Sequence, residues 1–230
     1  MSHTGSGPAP SALRGGRPFR LRVVIPTVDA EWSYVRHLVD RRARHRNLGY
    51  RVALPYTFET FQNTTLPLRA PKRFTRTFRR ATYRAAFDTV QQAITHGDQP
   101  FTRFSRTIAR NHLRLLPQYT VQLTLYGMGG SYKTAKGVVI LKVPSNGAFH
   151  RPPLHSIIHE MVHIAIDGTL IDAKSTPHGI KEAVVDAICF RMRLSRYQPQ
   201  RSADPRLARL LKGRRVSSFR GIVHLYRRAT

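Results

Sequence analysis

Residues 152–163 read PPLHSIIHEMVH, and the fold is best approached from this stretch. Pro152 and Pro153 suit the first turn of a helix, where a missing N–H costs nothing. The helix then runs to about residue 167. Leu154, Ile158, Met161 and Ala165 recur at 4, 3, 4 and are expected to face a core. His159 and His163 lie one turn apart, so both imidazoles leave the same side and can grip one ion at about 2.0–2.1 Å. Glu160 sits beside the first imidazole, where a carboxylate reaches a water on the metal as general base rather than binding the ion.

Working outward, residues 119–127 (YTVQLTLYG) and 137–144 (GVVILKVP) are β-rich and flank the Gly-rich connection MGGSYKTAK. They are expected to pair as a β-hairpin leading into the motif helix. GMGGSYK lacks the G-x-x-x-x-G-K-[ST] spacing of a phosphate loop. Downstream, Thr176 and Pro177 form an N-cap and first-position pair for a second helix, from His178 to about residue 194. His178, Glu182 and Asp186 stand at i, i+4 and i+8 on one of its faces. A catalytic zinc needs a third protein ligand and one open position. The second helix offers two for that role, Glu182 and His178, and Asp172 stands far behind them.

The pattern His159-Glu160-x-x-His163 followed by Glu182-x-x-x-Asp186 resembles the glutamate helix of the gluzincins, the thermolysin-like zinc peptidases. Eighteen residues separate His163 from Glu182. The resemblance implies that Glu182 binds zinc and that Asp186 holds a ligand histidine through its other ring nitrogen, fixing the tautomer. A compact chain with a hairpin before the motif helix looks most like the minigluzincins. It implies an α+β, zincin-like single domain: a small sheet with a hairpin, packed on the HExxH helix and a following ligand helix. A second resemblance, to the SprT-like zinc proteases of DNA metabolism, rests on His159, His163 and Pro177-His178-Gly179, and would make His178 the third ligand. Here Glu182 stands where that family places an aromatic residue, and its Cys-rich zinc element is absent. Each resemblance covers residues 119–194 at most.

The expected chemistry is peptide-bond hydrolysis by one catalytic Zn²⁺, with Glu160 moving the proton. Zinc peptidases hold substrate as an added strand on a sheet edge, and Val138–Lys142 is the expected edge. An oxyanion-steadying Tyr or His is also required, and His224 and Tyr226 in GIVHLYRR are the candidates. The alternative classes are a SprT-like protease acting on nucleic-acid-associated proteins, and a basic nucleic-acid-binding protein with a structural or vestigial metal site.

Thirty-nine Lys and Arg against 12 acids give the chain a net charge of +27, a field that favours polyanions such as nucleic acid. Residues 1–28 and 99–159 contain no acid, whereas Glu160, Asp167, Asp172, Glu182 and Asp186 crowd into residues 160–186. Carboxylates gathered on a basic chain suggest a bound cation. Residues 1–18 form a Gly/Pro/Ser-rich flexible tail, and 19–230 are expected to be one domain with its core at about 119–194. Within it, residues 19–25 read as a strand, 28–47 as a basic helix and 50–56 as a second strand. A long helix is expected from Pro71, with Tyr83, Phe87, Val90 and Ile94 along one stripe, and a shorter one over 102–114. Arg73, Arg76, Arg80 and Arg84 on the long helix are the candidate polyanion contacts. The single cysteine, Cys189, excludes an internal disulfide, reads as a small buried thiol and fits a reducing compartment. An intracellular, cytoplasmic setting is therefore expected, although the acid-free start is also compatible with organelle transit or specialised export. No apolar run approaches the roughly 18 residues of a membrane span.

Overall fold

The computed structural model describes residues 18–55, 66–144, 149, 152–169, 176–191, 204–205, 221 and 224. Most of the expected tail over 1–18 and part of the expected single domain lie outside the described residues. Those described form a mixed α/β architecture around a four-stranded open sheet, ordered β1-β2-β4-β3. The strands are β1 (Arg20–Val24), β2 (Gln118–Thr124), β3 (Gly130–Lys133) and β4 (Val138–Lys142). The helices are α1 (Val28–Asp40), α2 (Arg42–Asn47), α3 (Lys72–Thr77), α4 (Arg84–Thr95), α5 (Asp98–Arg110), α6 (Pro153–Ala165) and α7 (His178–Arg191). This agrees with the expected α+β class.

The expected hairpin is displaced by one strand. β2 and β4 pair in parallel, Val121 opposite Val139 and Leu123 opposite Leu141, so they cannot be the two arms of a hairpin. The Gly-rich connection contributes a strand of its own, β3, which runs antiparallel to β4. The tight turn lies between β3 and β4 and closes at Gly137, whose φ of +59° favours glycine. Consequently β4 is an interior strand, and the free edge on this side of the sheet is β3, not Val138–Lys142. Strand alternation sends Tyr119, Val121 and Leu123 of β2 and Val139 and Leu141 of β4 to one buried face. There they meet Val90 and Ile94 of α4, Phe101, Phe104 and Ile108 of α5, and α6 and α7 in one continuous core. The opposite face is covered in part by α1, where Tyr34 and Leu38 pack on Ile140.

Four other expectations need correction. The basic helix over 28–47 breaks at Arg41 into α1 and α2. Of the expected strand 50–56, the described residues 50–55 make only an isolated bridge, between Ala53 and Gly127. The long helix from Pro71 is broken too: Phe78 and Arg79 are extended, and a 3-10 turn over Arg80–Tyr83 precedes α4. An unbroken second helix would set Arg76 over Arg80 over Arg84, like-charge neighbours one turn apart. Breaking the second helix also lets Phe78 fold against Tyr83, with ring centroids 5.7 Å apart. The α5 expectation, residues 102–114, is shifted four residues toward the N-terminus.

A buried carboxylate ties the N-terminal half to the sheet. Glu31 on α1 is fully buried, and its Oε1 accepts from the Tyr83 hydroxyl at 2.8 Å, the Leu125 N–H at 2.9 Å and the Thr124 hydroxyl at 3.0 Å. Burial raises its pKa, and the three donors work against that rise. Glu31→Ala strands three buried donors and is expected to cost about 3 kcal/mol or more. Glu31→Gln keeps a carbonyl acceptor and should recover much of that loss. Urea denaturation of the two variants reads the difference.

Candidate metal centre

α6 is buried along almost its whole length, with every residue from Ile157 to Ala165 inaccessible. Its polar members therefore need partners from neighbouring elements. α7 supplies them. His159 Nε2 and His163 Nε2 lie 3.2 Å apart, and Glu182 reaches between them. Glu182 Oε2 is 3.3 Å from His159 Nε2, and Oε1 is 3.3 Å from His163 Nε2. These three residues are all buried and form the metal-competent cluster found among the described residues. A tetrahedral ion with ligand bonds of about 2.0–2.1 Å places neighbouring donor atoms about 3.3–3.4 Å apart. The imidazole nitrogens meet that spacing, and each faces a different Glu182 oxygen at a similar distance, so the three side chains could hold a metal ion, with a nitrogen and carboxylate chemistry that suits zinc.

The surrounding contacts orient this set. Asp186 Oδ1 lies 3.4 Å from His159 Nδ1, so the ring is held from behind while Nε2 faces Glu182. Tyr132 of β3 stacks on His163 at 4.7 Å, with the ring planes 10° apart. Cys189 is buried, as expected, and hydrogen-bonds His159; burial pushes its thiol pKa up and keeps it protonated. Burial alone would lower the proton affinity of His159, but Asp186, Cys189, Glu182 and Glu160 outweigh it and raise it well above the usual histidine range. Burial alone would raise the Glu182 pKa; hydrogen bonds from His159 and His163 overcome this and hold it well below the carboxylate range.

Glu160 is buried but stands outside the converging set. Burial raises its pKa, an effect opposed by His159 and His163. Its carboxyl rests against Gly130 on β3: a Cβ there would come within 2.5 Å of Glu160 Oε1 and 3.1 Å of Cδ. Glycine at this position is thus a steric condition for the Glu160 conformation. The sequence contains the signal, a glycine pair before Ser131-Tyr132, but without a partner in view it reads as a loop.

His178, the rival ligand, is one turn along α7 from Glu182. Its Nε2 is 3.5 Å from Glu182 Oε1 and is hydrogen-bonded to the Tyr50 hydroxyl, so it flanks the cluster without joining it. Burial lowers its proton affinity, despite the opposing charge of Glu182. Tyr50 is the residue that sequence reasoning missed. It follows Gly49, whose φ is +75°, and its N–H donates to the His45 carbonyl at 3.0 Å. Only tertiary structure brings it to His178. Of the oxyanion candidates, His224 is exposed and Tyr226 lies outside the described residues, as does Asp172. Arg73, Arg76, Arg80 and Arg84 are all exposed, but the break at Phe78–Arg79 divides them between two helices and a turn. Arg84 also pairs with Asp88 at 3.4 Å.

Comparison with known proteins finds no matching family model, no matching curated protein and no matching solved structure.

Glu182→Ala is expected to lose most of the zinc affinity, whereas His178→Ala should still bind about one equivalent; metal analysis after gel filtration distinguishes them. Gly130→Ala should retain zinc but displace the Glu160 carboxyl, lowering turnover at least tenfold by analogy with misplaced catalytic groups.

Proposed function

We propose that this chain is a zinc-dependent metallopeptidase of gluzincin type, with His159, His163 and Glu182 as ligands and Glu160 as general base. The observation that carries this reading is the convergence of three buried side chains whose facing atoms lie 3.2–3.3 Å apart, with a second buried carboxylate, Glu160, beside them but outside the set. Zinc, when bound, supplies Lewis-acid activation of a carbonyl and of water. The remaining work falls to the chain itself. A Glu160 carboxylate oxygen takes a proton from the attacking water and returns it to the departing amine nitrogen. Burial raises its proton affinity, the direction that a group both accepting and releasing a proton requires. The free edge of β3 offers main-chain N–H and C=O groups to an extended peptide, alongside Gly130 and Tyr132. Tyr50 takes the place of His224 and Tyr226 as the candidate donor to the developing oxyanion, steadied by His178.

A structural zinc has no use for a general base, so the Glu160–Gly130 contact speaks for chemistry over a purely structural or vestigial site. The SprT-like reading loses its main support in the position of His178 outside the donor cluster.

Glu160→Gln keeps the shape of the side chain and removes the base. It should hold about one zinc by metal analysis while peptide hydrolysis falls by about 10²–10⁴. Full turnover in that variant would sink the mechanism. Tyr50→Phe should lower kcat by about 10²-fold with little change in KM, the signature of a donor used only in the transition state.

A further inference from the structure

The peptidase reading leaves substrate choice open, and α2 bears on it. Its last turn carries Arg44, His45 and Arg46 and folds directly onto the segment holding Tyr50. Leu48 N–H donates to the Arg44 carbonyl at 3.1 Å, Gly49 N–H to Arg46 at 2.9 Å, and Tyr50 N–H to His45 at 3.0 Å. The Tyr50 ring meets His45 at 6.5 Å and His178 at 5.5 Å, both edge-on. The Tyr50 hydroxyl bonds His178 Nε2, which is 3.5 Å from the Glu182 carboxylate. Two residues, Tyr50 and His178, thus connect the arginine-rich turn to the metal cluster.

The charge at this rim is not neutralised locally. Residues 41–55 contain no acid, and exposed Arg44 makes no ion pair among the described residues. The three carboxylates of the centre are committed inward: Glu182 to two imidazoles, Asp186 to His159, and Glu160 beneath Gly130. On the α7 side, Asp204 lies against Gly179 through a 2.7 Å backbone hydrogen bond, so the α2 side carries the uncompensated charge.

We infer that α2 is a specificity element whose Arg44 binds an acidic side chain of the substrate next to the bond to be cleaved. This rests on the peptidase reading. Guanidinium is suited to the task because its planar fork matches a carboxylate and stays charged at every working pH.

The test uses the zinc-loaded Glu160→Gln protein and two fluorescent peptides, one with Asp and Glu flanking the central bond and its Asn/Gln counterpart. Anisotropy at low salt should give at least about tenfold tighter binding of the acidic peptide, shrinking by 200 mM salt. Adding Arg44→Glu, an exposed substitution, should abolish that preference. Equal binding of the two peptides, or a preference that survives Arg44→Glu, overturns the inference. So does equally tight, competitive binding of a single-stranded oligonucleotide of matched charge, which would make the rim a nucleic-acid surface. Hydrolysis by the unsubstituted protein separates the two readings. If it cleaves neither peptide while the Arg44-dependent preference persists, the peptidase reading falls and the acidic-ligand rim stands. If it cleaves both with equal KM, the specificity inference falls alone.

Discussion

A carboxylate held between two imidazoles, all three buried, is the arrangement around which the described structure is organised. Three such groups brought out of water are costly unless each meets a partner, and Glu182, His159 and His163 meet one another. The contact requires α6 and α7 to lie side by side at a fixed rotation. That rotation places Asp186 behind His159 and turns Glu160 toward β3. The sheet must then present glycine where Glu160 arrives and an aromatic face where His163 ends, which Gly130 and Tyr132 provide. The composition of β3, otherwise a poor strand sequence, follows from the geometry of the helix beneath it.

The parts of this arrangement that repeat along the chain were legible in the sequence. His159 and His163 on one helical face, and Glu182 and Asp186 one turn apart on another, follow from the 3.6-residue period alone. The strands around residues 20–24, 118–124 and 138–142 announce themselves by β-branched and apolar runs. Their pairing does not, because parallel and antiparallel partners bury the same alternating side chains and only the path of the connection decides. MGGSYKTAK reads as a hairpin loop because two of its glycines lie in succession and no strand of the usual composition interrupts it. Its edge pairing with β4 is decided by the neighbours, not by propensity. The break in the helix from Pro71 escaped for a related reason: apolar spacing recorded the buried stripe, whereas charge repulsion along the exposed side favoured a break.

Residues 18–55 resisted functional reading because their contributions are single side chains delivered over long sequence distances. Glu31 reaches Thr124 and Leu125, Tyr34 reaches Ser131 at 3.1 Å, and Tyr50 reaches His178. No local pattern distinguishes such residues from any other Glu or Tyr on an amphipathic helix or loop. They nonetheless decide where α1 and α2 sit relative to the centre. Tyr34 shows the consequence: burial, with added repulsion from Glu160 and Glu31, pushes its pKa up to about 12 against the lowering hydrogen bond from Ser131. It remains a neutral hydroxyl packed beneath the strand that meets the Glu160 carboxyl.

Charge is partitioned radially in this chain. Among the described residues, Glu31, Glu160, Glu182 and Asp186 are the buried acids, each held by inward partners rather than paired with the surface arginines. A cation approaching the centre meets converging carboxylates and imidazole nitrogens in a medium where their attraction is poorly screened. An anion approaching from outside meets arginines on α2 and along α3 and α4, where the attraction is longer in range and weakened by salt. The two fields do not cancel, because the inner one is confined by its own partners within a few ångströms while the outer one spreads over the surface. On the proposed reading, a substrate carrying negative charge would be drawn toward such a surface while its neutral amide entered the inner site. The same separation lets a protein with 39 basic side chains keep a buried cluster of acids and imidazoles: the acids are few, but they are placed where each one counts most.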